Sequence, residues 1–411
     1  MRRAAFLVAL LSVACGAPRV SRDVQAGETP AAPPAQYLGR DQSEQGNLLN
    51  IAYGASVVSR TAEMTLEFSA VRAIDGDPIS SWTSPPSDGA QQTIVFSVPA
   101  RTRVAQIGIQ TPASPLFHLK SAQLDSSIDG VTFTPLMTLK PAETDAVQFF
   151  PVTPPRDVVY LRLSTLETSG RFARVNSLQV HGTWIEATKP PAIDGCWTIN
   201  GLAARFSTTN GHVTGTIAGD HPVSLDGGSD GAVDRFVWVS GPNRGFAAIT
   251  TAPDGKHLSG LRWYNEPAEY SAAESWFGER SKCAGEARSE EVPARFLALK
   301  HRLPLYGLHF DDQGALLEQD SAAALDLLAN LARQPASQRF RLVSREYRLP
   351  GKEQNQQRSK ARLDSLRSAL EKRGIDARRF DWAALGSDAP PAKIEIEIQR
   401  NLYAVIELEA P

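Results

Sequence analysis

Asp75 and Asp77, two apart in the run AIDGD (73–77), form the sharpest metal-ligating pattern in the chain. Their carboxylates offer hard oxygens, Gly76 permits a tight turn, and main-chain carbonyls lie close by. Calcium, which takes roughly six to eight oxygens, suits such a cluster. The same residues equally suit a turn whose aspartates bond their own backbone. Four further acids, Asp220, Asp226, Asp230 and Asp234, fall within residues 219–234. Paired carboxylates can hydrolyse glycosides, but this stretch is rich in turn residues, where aspartate is ordinary. His212, His221 and His257 lack metal-ligand spacing. A non-enzymatic protein is therefore expected. Phe68, Phe117, His118 and Arg171 fall in loops and offer groups that stack on a sugar or bond its hydroxyls, without forming a recognisable constellation.

Composition narrows the classes. The 411 residues carry 42% hydrophobic side chains and a net charge of −2. A length of that order supports two to four domains, at about 150 residues each. Nothing in the overall charge favours nucleic acid. Beyond the first fifteen residues no apolar run reaches the roughly 20 residues that cross a bilayer.

Three segments must position the candidate residues. Residues 47–184 hold short β-branched runs (TIVFSV, RVAQIGIQ, VVYLRLST, VNSLQVHG) and predict a β-sandwich jelly roll. Residues 193–285 alternate apolar runs with Gly-rich turns, including the Asp254-Gly255 hairpin signal, and predict a small antiparallel barrel or meander of six to eight strands. Trp197, Trp238, Trp263 and Trp276 lie here and would fill the core of so small a domain or line a ligand cavity. Residues 295–411 alternate strands and helices, an α+β pattern. LPLYGLHF (303–310) reads as a strand, Ser321 as a helix cap, Ser359 as the opening of an amphipathic helix that Gly374 stops, and IEIEI and YAVIELE as closing strands. Proline-rich and charged breaks fall at 15–46, 187–194 and 284–294. The first of these reads as a flexible tether.

NLLNIAYGASVVSR (47–60), AIDGDPISSW (73–82), SSIDGVTF (126–133) and VNSLQVHG (175–182) follow one another as in the discoidin or coagulation-factor type C family, and the segment resembles those galactose-binding-like modules. The resemblance implies a jelly roll with Trp82 in its core. It also implies a structural calcium at Asp75 and Asp77 in some members, completed by an acid where this chain has Asn176-Ser177. Saccharides or lipid headgroups would bind on the loops at one end. The last segment resembles the OmpA-like family. Asn355, Ser359 and Arg362 repeat its N, S, R spacing, and GSDAP (386–390) its loop before the last strand. That resemblance implies peptidoglycan binding, with Arg362, Asn355 and Glu346 as site residues. Tyr347 stands where the family has aspartate, and the strand-to-loop geometry turns the adjacent Glu346 aside unless the register slips. Residues 339–379 carry 13 Lys or Arg against 5 Asp or Glu, which favours acidic wall polymers.

The start, MRRAAFLVALLSVAC, resembles a bacterial lipoprotein signal. It implies removal of residues 1–14, lipidation of Cys15 and anchoring to the outer membrane, facing the periplasm. An ordinary signal cut near the same place is the alternative. With Cys15 lipidated, Cys196 and Cys283 remain to pair in an oxidising compartment. The expected function is a wall-associated envelope lipoprotein, the alternative a saccharide-binding envelope protein.

Overall fold

The computed structural model describes residues 46–409 apart from 87–89, 188–190, 265–272, 284–291, 301, 334–338, 347–348, 350 and 389–405. The signal, Cys15, nearly all of the tether, Tyr347 and the IEIEI run lie outside the described residues.

The first module is built from β1 (Ser56–Arg60), β2 (Trp82–Thr83), β3 (Thr93–Gln110), β4 (Leu119–Ser127), β5 (Thr134–Leu139), β6 (Gln148–Thr168), β7 (Arg174–Val175) and β8 (Ser177–Ala187). Its sheet runs β1-β3-β6-β4-β5, with β8 also on β3. Strands β3 and β6 are long enough to serve both halves of the sandwich. Their register shifts, at Ser97/Thr102 and Val104/Gln106, bend them between the two halves. The two-residue strands β2 and β7 pair as a separate ribbon, with Thr83 opposite Arg174. Trp82 is wholly buried, as expected, and its indole N–H donates to the Ala62 carbonyl at 3.2 Å.

The second module is a closed eight-stranded antiparallel barrel, the upper end of the expected count. Its strands are β9 (Gly195–Ile199), β10 (Leu202–Thr209), β11 (His212–Ile217), β12 (Val223–Ser229), β13 (Asp234–Ser240), β14 (Asn243–Thr251), β15 (His257–Tyr264) and β16 (Glu274–Arg280). Closure leaves no edge to aggregate. Trp197, Trp238 and Trp276 fill the interior with Phe206, Phe236 and Ile249. Trp263 belongs instead to the outer wall. The wall residues Val237, Val239, Phe246, Leu261 and Phe277 share one hydrophobic cluster with Val57 and Val71 of the sandwich and with Phe296 beyond the barrel. Gly245 is required where β14 meets β15, since a Cβ there would lie 1.8 Å from the Trp263 carbonyl oxygen. Cys196 and Cys283 form the expected disulfide, beside the seam where β9 pairs β16.

The third module holds α1 (Val292–Lys300), β17 (Arg302–Pro304), α2 (Ala322–Ala332), β18 (Phe340–Arg345), α3 (Lys352–Lys372), β19 (Phe380–Gly386) and β20 (Ile406–Glu409). Its sheet order is β17-β20-β18-β19, and the β18–α3–β19 crossover makes β18 and β19 parallel. Three expectations are corrected. LPLYGLHF is strand only to Pro304, because the Leu308 N–H turns back onto Leu305 O and closes a turn. Helix α3 begins at Lys352, so Ser359 is a buried mid-helix residue rather than its opening. Ser321 precedes α2 without capping it, because its hydroxyl accepts the His309 N–H at 2.9 Å instead.

Candidate functional site

The AIDGD turn gathers oxygens. Gly76 has φ +76°, a left-handed turn that folds the Asp77 N–H back onto Asp75 Oδ1 at 3.0 Å. The Ser80 hydroxyl oxygen then lies 2.8 Å from both Asp75 carboxylate oxygens, 2.9 Å from Asp77 O and 3.1 Å from Arg72 O. One hydroxyl proton satisfies only one of these four. Burial pushes the Asp75 carboxyl up to about 7, with Arg72 pulling the other way. The Arg72 guanidinium sits 3.2 Å from Asp75 Oδ2. Of the two aspartates, only Asp75 turns its carboxylate into the nest. Asp77 contributes its carbonyl, while its carboxylate accepts the Ile79 N–H. Asn176 donates from Nδ2 to Pro78 O and Ser80 O, both at 3.2 Å, and its Oδ1 has no hydrogen-bond partner. No group of three or more His, Cys, Asp or Glu side chains suited to a metal occurs among the described residues. A cation here would rest on carbonyls, a hydroxyl and one carboxylate.

A second cluster forms at the same loop end, around the β2–β7 ribbon. Opposite Thr83, Arg174 donates from Nε to the Thr83 hydroxyl at 3.0 Å. Its guanidinium lies 4.0 Å from the Phe117 ring centroid and 5.4 Å from that of Phe68. Phe172 packs against Phe117, centroid to centroid 5.2 Å. Burial lowers the Arg174 pKa, and among the described residues no ion pair reaches it. His118 is buried beside Phe117, and its Nδ1 has no hydrogen-bond partner. Around this cluster stand the exposed side chains of Met64, Leu66 and Leu116 (38%, 50% and 58% exposed).

Of the loop residues singled out from sequence, Phe68 and Phe117 meet through Arg174, and His118 adjoins them. Arg171 is exposed near the cluster. Phe172 and Arg174 were not anticipated. The only sequence signal for them is the Arg-Phe-Ala-Arg run (171–174), which local strand patterning hides.

In the third module, Arg362 and Glu346 are both 2% exposed and bound to each other, with NH2 donating to Oε2 at 2.6 Å. Glu346 therefore turns toward Arg362, not aside as the sequence suggested. Its N–H is held by Gly386 O across the parallel pair, which fixes that direction. Asn355 clasps the loop by accepting the Leu349 N–H and donating to Leu349 O. Three of the four acids of 219–234 have partners or burial that the structure describes. Asp230 binds Arg235, Asp226 lies 3.1 Å from His212, and Asp234 is buried. The letters G-x-S-x-G occur at 227–231, in a barrel hairpin rather than a strand-to-helix turn.

Residues 56–178 match the family model described as F5/8 type C domain, and this segment is such a domain. No curated protein matches the chain. Among solved structures, the C-terminal domain of a chitobiase from Bacteroides fragilis is 22% identical, covering 32% of this chain and 96% of that one, with a TM-score of 0.30. The family 32 carbohydrate-binding module of NanJ from C. perfringens, solved with galactose, is 20% identical over 31% of this chain and 98% of its own, with a TM-score of 0.28. A further family 32 module from Clostridium perfringens, in complex with GalNAc-β-1,3-galactose, is 20% identical over 31% of this chain and 94% of its own, at 0.28.

Proposed function

We propose that this protein is a non-enzymatic envelope lipoprotein that binds saccharide at the loop end of its F5/8 type C domain. The observation that carries the reading is Arg174, fixed by Thr83 and two aromatic rings while its terminal nitrogens remain uncommitted. Sugars present C–H faces to aromatic rings and hydroxyls to fixed donors, and this cluster offers both. The nest of Asp75, Ser80, Arg72 O and Asp77 O would hold a calcium ion as a structural brace under these loops. Lipidation at Cys15 would place the protein in the outer membrane, facing the periplasm.

A second reading is wall association through the third module. It is favoured by the Asn355, Ser359, Arg362 spacing and by the β18–α3–β19 crossover. It carries less, because Arg362 is already committed to Glu346. Retention of the full chain on purified sacculi separates the two. Loss in Arg174→Ala with retention in Arg362→Ala supports loop-end binding, and the reverse pattern overturns it in favour of the third module.

A further inference from the structure

We infer that the saccharide taken at the loop end is acidic, bearing a carboxylate that pairs with Arg174. This rests on the loop end being a saccharide site. Several other arginines that are wholly or partly buried are answered by carboxylates of the chain. Arg60, Arg72, Arg162, Arg345 and Arg362 each meet a carboxylate of the chain within 3.2 Å. A guanidinium taken partly out of water is stabilised by a counter-charge, and folding supplied one at each of these places. Arg174 meets none, a state it shares with Arg367, half-buried against Trp382. No ion pair reaches Arg174 among the described residues, and its one hydrogen bond goes to a neutral hydroxyl through Nε.

The geometry leaves one direction open. Phe117 and Phe68 lie against the guanidinium and Thr83 holds Nε, so the plane is set before any ligand arrives. The terminal NH1 and NH2 edge is the part without a partner. That edge is a planar fork whose spacing matches the two oxygens of a carboxylate, and a bidentate pair in a shielded place is stronger than a bond to a hydroxyl. Phe172, stacked on Phe117, stiffens the platform. A neutral hexose would leave the shielded charge unanswered, whereas a uronic or nonulosonic acid residue would answer it while its ring lies against the apolar rim.

Calorimetry on the full chain tests this with galacturonate, glucuronate and N-acetylneuraminate, each beside its methyl ester, and with galactose. The expected result is that at least one acid binds tenfold or more tighter than its ester and than galactose. That advantage should shrink as salt rises, fall in Thr83→Val, and vanish in Arg174→Gln, with melting temperature as the check on folding. Thr83→Val loosens the arginine without touching its charge and so stands in if Arg174→Gln does not fold. If esters and galactose bind as tightly as the acids, in an Arg174-dependent way, the acidic assignment is overturned while the saccharide reading stands. If none of the sugars binds, or binding ignores both substitutions, both readings fall.

Discussion

Asp75 holds its carboxyl away from water, beside the Ser80 hydroxyl and the Arg72 and Asp77 carbonyls, with the Asp77 N–H and the Arg72 guanidinium as its own donors. A divalent cation taken up by these oxygens would bind the folded state alone, so adding calcium is expected to raise the melting temperature, by an amount following ligand excess (about 2.7 kcal/mol at a hundredfold excess over Kd). Asp75→Asn should abolish the response, which calcium and chelator titrations in a thermal melt would read directly. Asp234 makes a different prediction. Burial lifts its carboxyl to about 7 from the ordinary 3.8. The native state thus keeps this proton longer than the unfolded chain does. Its share of stability is full below about 4 and is lost as pH rises toward 7. Asp234→Asn should flatten the dependence over that window in urea melts, and an unchanged slope would refute the assignment. At this scale the sequence showed the residue types but not their directions. Phe68, Phe117 and His118 could be named from loop position. Arg174 could not, because its role depends on Thr83, 91 residues away.

Among the elements, the sandwich and barrel are joined by bonds that cross in both directions. The Val57 N–H donates to the Ser259 hydroxyl at 2.8 Å, the Thr250 hydroxyl to Ala55 O at 2.9 Å, and Arg235 to Ala52 O at 2.9 Å. Arg72 reaches the other way, to Ala273 O. Thr250→Val keeps the shape but strands the buried Ala55 carbonyl, and should cost about 1–3 kcal/mol, read as a lower urea midpoint at unchanged m. Replacing Cys196 and Cys283 together by serine frees an 87-residue loop and should cost about 4 kcal/mol in the same assay. Strands were legible where β-branched runs are unbroken, as in TIVFSV and VVYLRLST of the sandwich. The start of α3 was not. Its first two turns bury Asn355 and Ser359 rather than leucines, so the apolar period that marks a helix begins only at Leu363. LPLYGLHF misled for the opposite reason, being apolar apart from His309 yet folded into a turn after Leu305.

For the molecule as a whole, the order of three modules was readable from composition breaks, but their union was not. The clue lay in β13, where Phe236 and Trp238 face the barrel interior while Val237 and Val239 face outward and are just as buried. A strand apolar on both faces is covered on both. Here the outer cover is the neighbouring modules, with Phe246 of the wall against Phe296 of α1 at 5.6 Å. A shared core melts as a unit. Calorimetry should therefore show a single transition for the described modules, and three separable ones would contradict this packing.

The same welded wall fixes a bearing. Arg60 stacks on Phe277 at one side of the barrel, and the backbone at Tyr306 presses on Gly228 at another, where a Cβ would come within 2.3 Å. A pull on anything gripped at the far loops would pass to the last module as through a strut, arriving with its angle intact.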